Sequence, residues 1–186
     1  MTDAGSVGTA EWESADGRPT VRYGKVVVLG PAEAGKSTLI QALTLSSMNL
    51  AIRGRTVAMD HGMLERDGVS LSMVGVPGQD RFAPVRASLI EGARAAIWVH
   101  PAGEGADPAT ADLLRELTGA GIPYLVFVNE REGMANARAW GSLPDLPPPR
   151  EVICGDPRRS REAVRNVKEA LWDLVFAQLR ADRLGG

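Results

Sequence analysis

With 186 residues, 44% of them hydrophobic and 24% charged, the chain has the size and composition of one globular unit with a substantial core. A formal net charge of −2 gives no electrostatic footing for non-specific nucleic-acid binding. No apolar run approaches the ~20 residues of a membrane span, the N-terminus lacks the basic-then-apolar order of a signal peptide, and the single cysteine, Cys154, precludes an internal disulfide; a cytoplasmic protein is expected.

Residues 1–21, rich in Gly, Ser, Ala, Asp and Glu, are expected to form a flexible tail, and residues 22–186 the folded domain. Trp12 is the exception in the tail, since an aromatic can dock on the body. KVVVL (25–29) is a short apolar run of buried-strand type, and STLIQALTL (37–45) carries apolar residues at helical spacing. TVAMD (56–60) and VSLSMV (69–74) flank Asp67-Gly68, a pair that predicts a hairpin turn. ARAAIWVH (93–100) and IPYLVFVN (122–129) are strand-like. Between them, DPATADLLRELTGAG (107–121) has an early proline, a leucine face and closing glycines, which predict a helix. LPDLPPPR (143–150) is a proline-bound connector and EVIC (151–154) a last short strand. SREAVRNVKEALWDLVFAQLRADRL (160–184) is a long amphipathic helix opened by a serine cap. The alternation predicts an α/β fold with a mostly parallel central sheet of about six strands and helices on both faces.

The stretch GPAEAGKST (30–38) follows directly on the first strand. Glycines at 30 and 35 permit a sharp turn that presents backbone N–H groups to an anion, and the following helix points its positive end at the same place. Lys36 then reaches the terminal phosphates, and Ser37 offers its hydroxyl to Mg²⁺. Only three of the 21 basic residues are lysines, so one inside this loop is unlike a chance occurrence. Glu33, Ala34, Gly35, Lys36, Ser37 and Thr38 are assigned to nucleotide phosphates; the bland alternative is a Gly-rich turn with an incidental lysine. Thr56, behind the arginine-rich AIRGRT, can complete a Mg²⁺ shell when a γ-phosphate is present. In VGVPGQDRF (74–82), the Gly78 N–H can meet the γ-phosphate and Gln79 can orient an attacking water.

In GPAEAGKST (30–38), RTVAMD (55–60), VPGQ (76–79), VFVN (126–129) and CGDPR (154–158), the chain resembles the Ras-like small GTPases. It is most similar to the prokaryotic branch that works with roadblock-domain partners, including cell-polarity and gliding-motility GTPases. The resemblance implies a P-loop G domain that binds GTP or GDP with Mg²⁺ held by Ser37 and Thr56. It implies slow GTP hydrolysis using Gln79, Lys36 and Thr56, with Arg55 as an intrinsic arginine finger, and a roadblock-type regulatory partner. Base recognition falls to Asn129 and Glu132, backed by Cys154, Gly155 and Asp156. Switch segments are expected around 46–56 and 75–86, and no direct membrane anchor is expected.

Three positions depart from that pattern. Gly75 stands where the third motif normally opens with a Mg²⁺-holding aspartate. Asp60 is near in sequence, but it starts from a different strand and is not assigned as a ligand. The base motif reads Asn129-Glu130-Arg131-Glu132 in place of Asn-Lys-x-Asp, so relaxed base specificity stays open. His61 and His100 lack ligand-like spacing and are read as structural, Cys154 as core, and Arg158, Arg159 and Arg161 as facing solvent. The alternatives to a switch are a nucleotide-binding scaffold that barely hydrolyses and an ATPase or kinase of the wider phosphate-loop class.

Overall fold

Eight strands and four helices follow one another in a computed structural model that describes residues 11–13, 19–44, 47–52, 55–76, 83–105, 107–130, 140 and 146–184. In chain order they are β1 (Glu11–Glu13), β2 (Pro19–Leu29), α1 (Lys36–Leu43), β3 (Ser47–Ile52), β4 (Arg55–Arg66), β5 (Val69–Gly75), α2 (Ala83–Ile90), β6 (Ala93–Pro101), α3 (Pro108–Gly119), β7 (Tyr124–Asn129), β8 (Val152–Gly155) and α4 (Arg161–Leu184). The strands form one sheet in the order β3-β4-β5-β2-β6-β7-β8, with β1 paired to β2 beside this path. From β5 through β2, β6 and β7 to β8 all neighbours are parallel, while β4 runs antiparallel to β5 and β3 antiparallel to β4.

The period of two along each strand decides what lies on which face. Val26, Val28, Ala95, Ile97, Val99, Leu125 and Phe127 pack on one side with Leu39, Ile40 and Leu43 of α1 and Val167, Leu171 and Val175 of α4. Their neighbours Val27, Leu29, Ala96, Trp98, Val126 and Val128 pack on the other side with Ile90 of α2 and Leu114 and Leu117 of α3. Strands buried on both faces read as continuous apolar runs, which is why KVVVL and YLVFV carry no polar alternation. The expected α/β architecture, with helices on both faces of a mostly parallel sheet, is the one found.

The local signals act where the residues place them. Asp67 and Gly68 both take positive φ (52° and 78°), as a two-residue hairpin turn between β4 and β5 requires. Asp107 accepts a hydrogen bond from the Thr110 N–H at 2.7 Å and caps α3, whose first position is Pro108. Ser160 accepts one from the Ala163 N–H at 3.0 Å and caps α4. Residues 146–149 of the proline-bound connector form no regular element, and the Tyr124 hydroxyl donates to the Pro147 carbonyl.

Three expectations are corrected. Within the stretch expected as a tail, Glu11–Glu13 pairs antiparallel with Pro19–Val21, so β2 begins well before residue 22. Residues 47–52, expected inside a switch loop, form the edge strand β3, paired from Ser47↔Gly62 to Ile52↔Arg55; SMNLAI alternates small or polar with apolar residues, a pattern short enough to be passed over. Residues 83–86, the end of the second expected switch segment, already belong to α2.

Candidate functional site

The C-terminal ends of β2, β6, β7 and β8 lie along one rim, and the loops that leave β2, β7 and β8 meet there. Both glycines of the first loop are sterically required. Gly30 has φ 146°, and a Cβ on it would lie 2.3 Å from the Val99 carbonyl oxygen. Gly35 has φ 98°, and a Cβ there would lie 2.3 Å from Asn129 Nδ2. Between them Glu33 holds φ 60°, a left-handed conformation that costs a non-glycine residue roughly 1–3 kcal/mol. Strain of this kind concentrates where a backbone must present its N–H groups in a fixed direction.

The helix that follows opens without a side-chain cap. Its N-cap is Gly35, no cap hydrogen bond is made, and no acidic residue occupies its first turn. The N-terminal N–H groups and the positive end of the helix dipole are therefore uncompensated by the helix's own side chains, a ready anion site. Lys36 folds back across the loop, its Nζ donating to the carbonyls of Gly30 at 2.9 Å and Pro31 at 2.5 Å. The Ser37 hydroxyl donates to the Asp60 carboxylate. A hydroxyl and a carboxylate offer oxygens only, the donor chemistry that Mg²⁺ takes. No group of three His, Cys, Asp or Glu side chains gathers for a metal among the described residues.

A cavity of about 510 Å³ opens over this turn, within the usual range for small-molecule sites. Glu33, Gly35 and Thr38 line it from the loop side, Asn129 from the end of β7, and Asp156, Pro157, Arg158 and Arg159 from the turn after β8. Asn129 is 6% exposed, and its Nδ2 donates to the Ala34 carbonyl at 2.8 Å, tying the β7 exit to the phosphate loop. The Glu130 N–H donates to the Gly155 carbonyl at 3.0 Å and joins the β7 and β8 exits. The Asp156 side chain is engaged locally: it accepts from the Arg158 N–H at 2.9 Å and stands 3.7 Å from Arg159 Nε.

The structure thus brings Glu33, Gly35, Thr38, Asn129 and Asp156 around one cavity, with Ala34, Lys36 and Ser37 in the adjoining turn. Gly78, Gln79 and Glu132 lie outside the described residues, as does Arg131, and Arg55 and Thr56 are described only as backbone at the start of β4. Arg158 and Arg159, expected simply to face solvent, are exposed and also line the cavity mouth. Only the fold reveals this, since nothing local distinguishes them from Arg161. Cys154 is half-buried; burial, and after it the Glu130 carboxylate, pushes its thiol above the ordinary value, against any thiolate role. His61 Nε2 lies 2.8 Å from Ser72 Oγ, and His100 Nε2 donates to the Glu104 carbonyl at 2.7 Å while its ring meets Trp140 edge-on. Both bonds knit the scaffold.

A glycine-bounded phosphate loop at the C-terminal rim of a largely parallel sheet, with an asparagine from the fourth parallel strand behind it, defines a P-loop G domain. The profile of the 50S ribosome-binding GTPase family matches residues 25–130, and the chain belongs to that family. It is 32% identical over 108 residues to an uncharacterized protein of Methanocaldococcus jannaschii, covering 58% of this chain and 70% of that one. It is 29% identical over 144 residues to an elongation factor G-like protein of Mycobacterium tuberculosis, covering 67% of this chain but 20% of the relative. Among solved structures, a bacterial selenocysteine-specific elongation factor superposes with a TM-score of 0.63 at 19% identity, over 84% of this chain and 29% of that one. The G domain of the Thermotoga maritima FeoB iron transporter gives 0.60 at 20% identity, over 81% and 97%. This chain is a GTP-binding G domain, similar in sequence to those of translation factors and in fold to that of FeoB. None of its described helices is long and apolar enough to cross a membrane.

Proposed function

We propose that this G domain is a nucleotide-dependent molecular switch with slow, Mg²⁺-dependent GTP hydrolysis, of the Ras-like small type whose nucleotide state is read by a roadblock-type partner. The observation that carries the proposal is the uncapped N-terminus of α1, with Lys36 folded over its loop, opening on the cavity that Asn129 also lines. The backbone N–H groups from Gly35 onward and the Lys36 ammonium bind the β- and γ-phosphates, and Ser37 and Thr56 supply protein oxygens to the metal. When bound, Mg²⁺ offsets negative charge on the phosphate oxygens. Gln79 orients the attacking water, and Arg55 reaches the charge that develops on the transferred group. Asn129 and Glu132 read the base, with backbone N–H groups of Gly155 or Asp156 facing its O6. The roadblock partner rests on the motif set alone, from GPAEAGKST to CGDPR.

A second reading, a scaffold that holds nucleotide and barely hydrolyses it, draws on Gly75 in place of the third-motif acid. One competition experiment and one variant separate the readings. Unlabelled GTP, GDP, ATP and ADP are titrated against a fluorescent GDP analogue; guanine nucleotides should win by about a hundredfold, some 2.7 kcal/mol. Equal competition by adenine nucleotides would refute base reading by Asn129 and Glu132. Gln79→Leu should then retain binding and lose turnover; unchanged turnover would remove Gln79 from the mechanism, and no turnover in the unmodified chain would favour the scaffold.

A further inference from the structure

We propose that Asp60 supplies the carboxylate that is missing at Gly75, so that the nucleotide's divalent cation is held from β4 instead of β5. The inference rests on the nucleotide-binding reading above. The pairing of β4 with β5 runs His61↔Val74, Gly62↔Met73 and onward, so Asp60 stands one step beyond, opposite Gly75. Residues directly opposite on antiparallel strands project to the same face of the sheet. Here that face is the one covered by α1: a Cβ on Gly75 would lie 3.1 Å from Asp60 Cβ and 3.2 Å from Ile40 Cδ1. The space that an acid at 75 would enter is therefore already taken by the acid at 60. The carboxylate ends at the group such an acid would serve, since it accepts a hydrogen bond from the hydroxyl of Ser37 at the head of α1. Glycine at 75 and aspartate at 60 form an exchanged pair: the side chain has moved one strand sideways while keeping its face and its height in the sheet.

A merely structural Asp60 would orient Ser37 and do nothing more. Asp60→Asn separates the two roles, because an amide oxygen still accepts from Ser37 and the side chain keeps its size, but the negative charge is gone. The readout is release of a fluorescent GDP analogue from the full chain as Mg²⁺ is titrated, alongside Mn²⁺ binding followed by electron paramagnetic resonance. Asp60→Asn should raise the Mg²⁺ concentration that half-maximally slows release by about ten- to a hundredfold, and leave the metal-free release rate close to that of the unmodified chain. Asp60→Gly/Gly75→Asp, which returns the acid to β5 and opens room for it, should recover part of that loss. The same Mg²⁺ dependence in Asp60→Asn and the unmodified chain would overturn the proposal. So would GDP release from the unmodified chain that is indifferent to Mg²⁺, although nucleotide binding would then stand. Failure of the unmodified chain to bind any nucleotide would instead sink the functional reading, and this inference with it.

Discussion

The contact between Gly35 and Asn129 makes a quantitative prediction about the phosphate loop. Gly35→Ala forces an L-residue to φ 98° and sets a methyl group 2.3 Å from Asn129 Nδ2. The conformation costs roughly 1–2 kcal/mol. The overlap also displaces the amide from its 2.8 Å bond to Ala34, which leaves a buried carbonyl unpaired at roughly 1–3 kcal/mol. Gly35→Ala should therefore destabilise the protein by about 2–5 kcal/mol, and Asn129→Ala by about 1–3 kcal/mol. The bond can be lost only once. The double variant should then be scarcely less stable than Gly35→Ala alone, with a coupling of about 1–3 kcal/mol. The assay is urea unfolding of all four proteins in EDTA without nucleotide, so that ligand linkage does not mask the difference. Additivity within about 0.5 kcal/mol would refute the reasoning, because it would mean that the methyl group and the amide do not compete for one space.

Two further outcomes concern pH. Burial pushes the Tyr124 phenol up to about 12, so the folded chain holds that proton more tightly than the unfolded one; its stabilising contribution is complete below about pH 10 and is lost as pH rises toward 12. Tyr124→Phe should flatten the alkaline limb of a denaturation-versus-pH curve, and an unchanged limb would show that the phenol does not govern it. Hydrogen bonds from Thr110, its side chain first and then its backbone N–H, hold the Asp107 carboxyl below its ordinary value. That contribution is present above the unfolded value and lost as pH falls through the folded one. Asp107→Ala should cost about 1 kcal/mol near neutrality through the lost cap and progressively less in acid; a loss independent of pH would contradict the linkage.

What was legible in the amino-acid sequence was whatever depends on near neighbours. Gly30, Gly35, Lys36 and Ser37 act through one turn, so their spacing alone predicts a phosphate loop, and the double-faced burial of Val26 to Leu29 follows from an unbroken apolar run. Asp67-Gly68 announces its hairpin for the same reason. The role of Asp60 was not legible, because its relation to Gly75 exists only through the antiparallel register of β4 on β5. Arg158 and Arg159 read as ordinary surface charges until the turn after β8 is folded beside the cavity. The strand Ser47–Ile52 was hidden because SMNLAI is short, carries the polar Asn49 at its middle and pairs on one edge only. Asn129 lay between: its motif was visible, but its bond to Ala34, 95 residues away, was not.

The opposite rim of the sheet has a different future from the one that binds. The turns at Gly68, Gly92 and Gly121 precede β5, β6 and β7, all have positive φ, and a side-chain carbon on any of them would meet nothing within 4 Å. Parallel strands place every entry turn at one end and every exit loop at the other, so chemistry and tolerance are sorted onto separate edges by topology alone. Inserted residues, a fluorophore or a second folded module can enter at the entry turns with the length of each strand as a buffer. A lineage built on this chain is free to lengthen on that side, where variation reaches the nucleotide only through the whole thickness of the sheet.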